Sequence, residues 1–223
     1  MQDSADRRNR MVTEQLVRRG VRDPNVLNAM RHIPREEFVA PALSEVAYQD
    51  GPLPIGEGQT ISQPYVVALM IEAAGVEPGH RVLEVGAGSG YAAAVMSRYA
   101  GEVYAVERHP ILAEAARPIL DKLGCRNVHL RVGDGTTGWP QAAPFDAILV
   151  SAGGPKAPQA LKGQLAIGGR LVIPVGDARV HQRLLKITRI SETGYDEDDL
   201  GAVSFVPLVG EQGWAEDESG AED

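Results

Sequence analysis

Between Arg81 and Val175, short apolar runs alternate with helix-patterned segments, and this alternation limits the fold more than any other feature of the chain. The runs "RVLEV" (81–85), "EVYAV" (102–106), "VHLRV" (128–132), "FDAILV" (145–150) and "GRLVIPV" (169–175) read as strands. Helical segments over 89–100, over 110–123 and from about Pro155 separate them. Near-continuous apolar strands joined through helices form a parallel sheet covered on both faces.

The two ends read differently. "RRNRMVTEQLVRRG" predicts a helix from Arg7 to about Gly20, and Asp23-Pro24 predicts the cap and first position of a second helix ending at Pro34. Residues 41–60 form a long Pro- and Gly-rich connection, and "YVVALMIEAAG" is a buried helix stopped by Gly75. At the other end "QRLLKITRI" (182–190) and "AVSFVPL" (202–208) predict an antiparallel pair, broken or at an edge by Pro207, around an acidic solvated loop at Asp196–Asp199. The expectation is one α/β domain: N-terminal helices and a substrate-side loop (7–60), a doubly wound, mostly parallel Rossmann-like core (61–210), and a mobile acidic tail (211–223).

Twenty-two basic against thirty acidic side chains give a net charge of -8, which repels a phosphate backbone and argues against nucleic acid as a partner. No uncharged apolar run approaches the roughly 18 residues of a membrane span. The start "MQDSADRRNR" has no apolar core, so no secretory signal is expected. Cys125 is the sole cysteine, and His32, His80, His109, His129 and His181 are scattered, so neither an internal disulfide nor a metal centre is expected. These features suit a reducing cytoplasm, and a monomer is expected.

Chemistry begins at "LEVGAGSGY" (83–91), after a strand and before a helix. Gly86, Gly88 and Gly90 let the backbone approach a ligand. The dinucleotide fingerprint requires a third glycine at 91, where this chain has Tyr91. G-x-G-x-G with Glu84 two residues upstream resembles motif I of S-adenosylmethionine-dependent methyltransferases instead. Glu107, roughly 20 residues on at the end of the second strand, can accept both ribose hydroxyls. Asp134 in "GDG" follows the third strand, where that superfamily places an acid beside the adenine amino group. S-adenosyl-L-methionine, leaving as S-adenosyl-L-homocysteine, is therefore the expected cofactor.

After the fourth strand, "SAGGP" (151–155) offers neither acid nor amide to hold an amine acceptor, and "GQTISQP" (58–64) contains no charge. A carboxylate acceptor needs no base, because with a pKa near 4 it is already a nucleophile at pH 7. A neighbouring sulfonium keeps it ionised. What it needs is a fixed donor and exclusion of water, and the Ser62 hydroxyl supplies a donor without a competing charge.

"PREEFV" (34–39), "LPIGEGQTISQP" (53–64), "VLEVGAGSGY" (82–91), "VGDG" (132–135), "APFDAILV" (143–150), "GGRLVIPVG" (168–176) and "FVPL" (205–208) together resemble the protein-L-isoaspartate O-methyltransferases, from about residue 10 to 210. The resemblance implies methylation of the free α-carboxylate of L-isoaspartyl residues in damaged proteins and peptides. The ester then closes to a succinimide that hydrolyses partly to normal aspartate. It implies Ser62 as the active-site residue and Thr60, Ile61, Gly86, Ser89, Glu107, Asp134 and Gly135 around the cofactor. Val206 and Leu208 would offer backbone groups to an extended peptide.

Two positions depart from the family pattern. Gly153–Gly154 replace a stretch that is alanine-rich in many relatives, which predicts a looser loop. Ser204 stands where bacterial relatives often carry a basic residue, which weakens a side-chain anchor for substrate charge. The alternatives are a methyltransferase for a carboxylate in a dedicated peptide or small molecule, and a non-catalytic protein that keeps the cofactor pocket. Ser62 itself has an alternative role as the N-cap of the helix that follows Pro64.

Overall fold

A computed structural model describes residues 3–176 and 181–216. Helix α1 (Ser4–Met11) passes without a break into a π turn (Val12–Leu16) and a 3-10 turn (Val17–Arg19), so the single helix expected from Arg7 changes its hydrogen-bond spacing midway. Gly20 ends it in the left-handed region at φ 103°. Helix α2 (Pro24–His32) starts as its sequence predicts, with the Asp23 carboxylate accepting from Asn25 N–H and Val26 N–H.

The connection at 41–60 is more ordered than its composition suggests. A 3-10 turn (Pro41–Val46) leads to a hairpin of β1 (Leu53–Gly56) and β2 (Gln59–Ile61). Its two-residue turn, Glu57-Gly58, has φ 51° and 65°. Positive φ at both positions matches the right-handed twist of the paired strands. Strands of three and four residues are too short to display alternation, so the hairpin left no periodic trace in the sequence.

Helix α3 (Pro64–Ala74) precedes the core, in which β3 (Arg81–Val85), α4 (Tyr91–Ser97), β4 (Glu102–Glu107), α5 (Pro110–Lys122), β5 (Val128–Val132), β6 (Phe145–Val150), α6 (Gln159–Gly163) and β7 (Leu165–Gly176) follow in turn. The helix expected from Pro155 starts only at Gln159 and lasts five residues. Strands β8 (Gln182–Arg189) and β9 (Tyr195–Val203) complete a sheet that has, among the described residues, the order β5-β4-β3-β6-β7-β8-β9. The first five are parallel; β8 and β9 are antiparallel additions. Successive strand residues point to opposite faces. Val82, Val103, Ala147 and Val172 therefore join the cluster with α2, α3 and α4, while Leu83, Ile148, Leu171 and Ile173 join a second cluster with Leu161 of α6.

The last strand is shifted from its expected place. The sequence predicts it at 202–208 with an acidic loop before it, yet the turn occupies 191–194 and Asp196–Asp199 lie within β9. Four acids in a row hide the alternation, and charge is what an open sheet edge carries to discourage pairing with other chains. Two of them pair across the strands, Asp199 with Arg183 and Asp198 with Lys186, both at 2.8 Å. Residues 205–208 run on as an irregular segment tied to Gly153. The start of the expected mobile tail is likewise held, by Glu211 N–H to Asp134 Oδ2 (2.8 Å) and the Trp214 indole N–H to Gly153 O (2.9 Å). Residues 217–223 lie outside the described part.

Candidate active site

The order of the sheet reverses at β3, which has β4 on one side and β6 on the other, and ligands of such sheets bind beyond the strand C-termini at this point. A cleft of about 1020 Å³ opens there. Its floor is the turn from β3 into α4. Gly86 and Gly88 sit at φ 81° and 53°, and the Gly88 N–H donates to Glu107 Oε2 at 2.7 Å. A Cβ on Gly88 would lie 3.0 Å from Ile55 Cδ1, so the β1–β2 hairpin folds directly over the glycine turn.

Two buried carboxylates face this turn. Glu107, 4% exposed, also accepts from His109 N–H at 2.8 Å. Each of its oxygens keeps a lone pair for a hydroxyl donor. Glu84 is 2% exposed and its Oε2 has no partner. Burial, with the Glu107 charge second, raises its pKa from 4.5 to about 8, against a lowering contribution from the Ala93 backbone. An unpaired buried acid beside a turn kept free of side chains calls for a cationic ligand. S-adenosylmethionine, the donor its family implies, carries an ammonium and ribose hydroxyls, the chemistry that these two acids are suited to accept.

The cleft brings together Thr60, Ile61, Ser62, Glu84, Gly86, Gly88, Ser89, Glu107, Gly135, Val206 and Leu208, all expected from sequence. Gly135 is required by packing, since a Cβ there would lie 2.4 Å from Val85 Cγ1. Two expected residues lie elsewhere. Gly90, at φ 85°, starts α4 and faces Ala116 and Leu120 of α5, where its missing side chain permits close helix packing. Asp134 lines a smaller adjoining cleft of about 440 Å³ with Arg108, Val209 and Trp214. Its Oδ1 accepts from Thr136 N–H and Oγ1–H, and its Oδ2 from Glu211 N–H. Arg108 and Val209 line both clefts and connect them.

Ser62 stands between β2 and α3. The N-cap of α3 is Gln63, with no side-chain capping bond, so the capping role open to Ser62 on sequence is not realised. Beside it, residues that the sequence did not single out close the mouth. Asp50 accepts from Gln63 Nε2 (2.6 Å) and from Arg19 (2.9 Å), and the Arg19 guanidinium lies 3.5 Å from the Tyr65 ring centroid. Nothing in the local sequence links residues 19, 50 and 65. The one histidine on the wall among the described residues, His109, follows Glu107 at the cofactor side.

The Gly153–Gly154 stretch is not loose. Gly153 N–H donates to Val206 O (2.8 Å), its carbonyl accepts from Leu208 N–H (2.8 Å), and Gly154 N–H donates to Pro174 O (3.1 Å). Leu208 O accepts from Trp214 N–H, so both backbone groups of Leu208 are engaged internally, whereas Val206 N–H makes no hydrogen bond among the described residues.

A family model for protein-L-isoaspartate(D-aspartate) O-methyltransferase matches residues 6–213. A protein-L-isoaspartate O-methyltransferase of Methylorubrum extorquens is 61% identical over 207 residues, covering 93% of this chain and 90% of that one. One from Pelotomaculum thermopropionicum is 59% identical over 210 residues, 94% and 91% of the two chains. A solved protein-L-isoaspartate O-methyltransferase superposes with a TM-score of 0.83 at 32% identity, covering 92% of this chain and 67% of that one. A Plasmodium falciparum protein named for the same activity, solved in complex with S-adenosyl-L-homocysteine, gives 0.78 at 28% identity over 91% and 98% of the chains. With the sheet, the glycine turn and the two acids already in place, the chain belongs to the protein-L-isoaspartate(D-aspartate) O-methyltransferase family.

Proposed function

We infer that the chain methylates the free α-carboxylate of L-isoaspartyl residues in proteins and peptides, the activity of its family, with Ser62 fixing the acceptor. The observation that carries the assignment of Ser62 is an uncharged hydroxyl, bound to nothing else among the described residues, on the wall that also holds Glu84 and Glu107. Bound S-adenosylmethionine supplies a methyl group made electrophilic by its sulfonium. The protein's part is positioning. Glu84 would hold the ammonium end and Glu107 the ribose hydroxyls, the latter with its orientation fixed by Gly88 and His109 N–H. Ser62 would donate to one acceptor oxygen and leave the other free to take the methyl group, with the S–CH3 bond breaking and S-adenosylhomocysteine leaving. Val206 N–H is the backbone donor left for the flanking peptide. Asp134, the acid expected beside the adenine amino group, lines the adjoining cleft with Arg108.

No proton is taken by the enzyme, so no base is required. The acidic edge strand β9 opposes edge-to-edge pairing and supports a monomer. The lone Cys125, buried and free, supports a cytoplasmic home. No helix among the described residues is long and apolar enough to cross a membrane. The deciding experiment is methyl transfer to one peptide in isoaspartyl and aspartyl forms. Transfer to the isoaspartyl form alone is expected; equal transfer, or none, would point to a dedicated carboxylate substrate.

A further inference from the structure

The wall that carries Val206 is held by a side chain outside the cleft. Gln182, the first residue of β8, is 4% exposed. Its Oε1 accepts from Phe205 N–H at 2.8 Å, and its Nε2 donates to Phe205 O at 3.1 Å. One amide satisfies both backbone groups of one residue, which an uncharged amide does and a hydrocarbon or carboxylate does not.

Gly153 makes the room for it. A Cβ at 153 would lie 2.4–2.7 Å from the terminal atoms of Gln182, the three nearest atoms in the molecule. The backbone of Gly153 is not in the left-handed region, so its glycine serves space and not conformation. The same Gly153 binds Val206 O and Leu208 N–H. Residues 205–208 are thus held by the Gln182 amide and by the adjoining Gly153 backbone.

We propose that Gln182 and Gly153 form a latch that positions the peptide-binding wall at Phe205–Leu208, and so controls affinity for the isoaspartyl peptide separately from affinity for the cofactor. The proposal rests on the reading that Val206 meets the peptide. The latch touches neither substrate nor cofactor; both are positioning residues. Its effect is large for its size because a single donor, Val206 N–H, remains on this segment, and a misplacement of about 1 Å in a positioned group costs roughly 100-fold.

The test uses the full chain with Gln182→Ala, Gln182→Glu, Gly153→Ala and the double variant Gly153→Ala/Gln182→Ala. Peptide KM and kcat, the Kd for S-adenosylhomocysteine and hydrogen exchange at the Phe205 amide are measured for each. Gln182→Ala is expected to raise peptide KM roughly tenfold or more and to speed Phe205 exchange, with the Kd nearly unchanged. Gly153→Ala reproduces this. The double variant is no worse than Gln182→Ala alone, because the added methyl group then meets no amide.

Gln182→Glu supplies a signature that a loss of packing does not. Its neutral carboxyl can make both bonds, while its carboxylate repels Phe205 O, so peptide KM rises with pH in this variant while the wild-type value stays level. Unchanged Phe205 exchange in Gln182→Ala overturns the latch. Faster exchange with unchanged KM overturns its role and the placement of the peptide on this wall. A fall in melting temperature and cofactor affinity together, without a change in KM, also overturns it, leaving a purely structural brace. Wild-type turnover of the isoaspartyl peptide, measured alongside, keeps failure of the functional reading distinct from all three.

Discussion

Ser62 was legible as the reacting end of the site because of what surrounds it: no charge, no base, and a helix start two residues on. The structure removes its competing role, since Gln63 and not Ser62 occupies the N-cap of α3. Ser62→Ala should therefore lower turnover by about 10²–10³, or about 3–4 kcal/mol, as loss of one oxyanion-type donor does. The melting temperature should escape the roughly 1 kcal/mol penalty of a lost cap. Rates, melting curves and cofactor titrations on the pair check this; a wild-type rate with a lowered melting point would return Ser62 to scaffolding. Glu84 was readable as a motif acid, but its ionisation was not, because burial and the neighbouring Glu107 come from tertiary packing. With the folded pKa raised from 4.5 to about 8, the empty protein holds a proton there that the unfolded chain has lost. This group's contribution to stability is thus complete below about pH 4.5 and is lost as pH rises toward 8. An ammonium group placed against Glu84 would pull the pKa back down, so binding near pH 7 should release a proton and affinity should climb up to about pH 8. Calorimetry of S-adenosylhomocysteine at pH 6, 7 and 8, in buffers of differing ionisation heat, measures both; pH-independent affinity without proton release would separate Glu84 from the ligand. Under saturation, kcat should stay level from about pH 6 to 8, because the acceptor is already ionised.

The hairpin of β1 and β2 places Thr60 and Ile61 on the cleft and Ile55 over the glycine turn. It was missed because a two-residue Glu-Gly turn is a weaker signal than Asn-Gly, and because strands this short show no period. Strands β3 to β8 agree with their sequence signals to within a few residues, since burial on both faces gives β3, β4 and β6 near-continuous apolar runs and β5 and β8 keep apolar positions at strand spacing. Strand β9 was not: an edge needs only one neighbour, tolerates acids, and then resembles a loop. The glycine turn was recognised, but the division of labour within it came only from packing. Gly88 faces the hairpin, and Gly90 faces α5. Gly88→Ala should consequently weaken cofactor binding by about tenfold or more, from about 1–2 kcal/mol of left-handed strain plus the displacement of Ile55 at 3.0 Å. Gly90→Ala should chiefly lower the melting temperature, because its Cβ would press on Ala116 at 3.3 Å. Equal losses of cofactor affinity in the two variants would show that the turn responds as one unit and that these two faces are not separable.

The fold as a whole brings segments far apart in sequence to one opening: Arg19, held by Asp50, with Ser62, Glu84, Glu107 and Val206. No local pattern could relate them, and only the reversal of strand order at β3 explains why they meet. This arrangement has a consequence for selectivity. An isoaspartyl residue carries its extra backbone carbon within the chain and leaves its carboxylate one bond from the α-carbon; a normal aspartate carries its carboxylate on a side branch. On the proposed reading, a peptide registered by Val206 N–H and by the wall that Gln182 and Gly153 hold would bring only the first of these to Ser62. With the second, Ser62 and Val206 cannot both be satisfied, and a site that reads its ligand through buried donors rejects a mismatched one by about 10⁴–10⁵ in kcat/KM. The expected result is a ratio of that order between isoaspartyl and aspartyl forms of one peptide, falling in Ser62→Ala by up to the roughly 10²–10³ that the lost donor is worth. The ratio should change little when flanking residues of the peptide are altered, because the wall offers backbone and not charge, with Ser204 where a basic anchor would stand. A ratio near one in the wild type would mean that the cleft does not register the peptide backbone; a ratio governed by flanking charge would mean that the Arg19–Asp50 pair at the mouth sets the register.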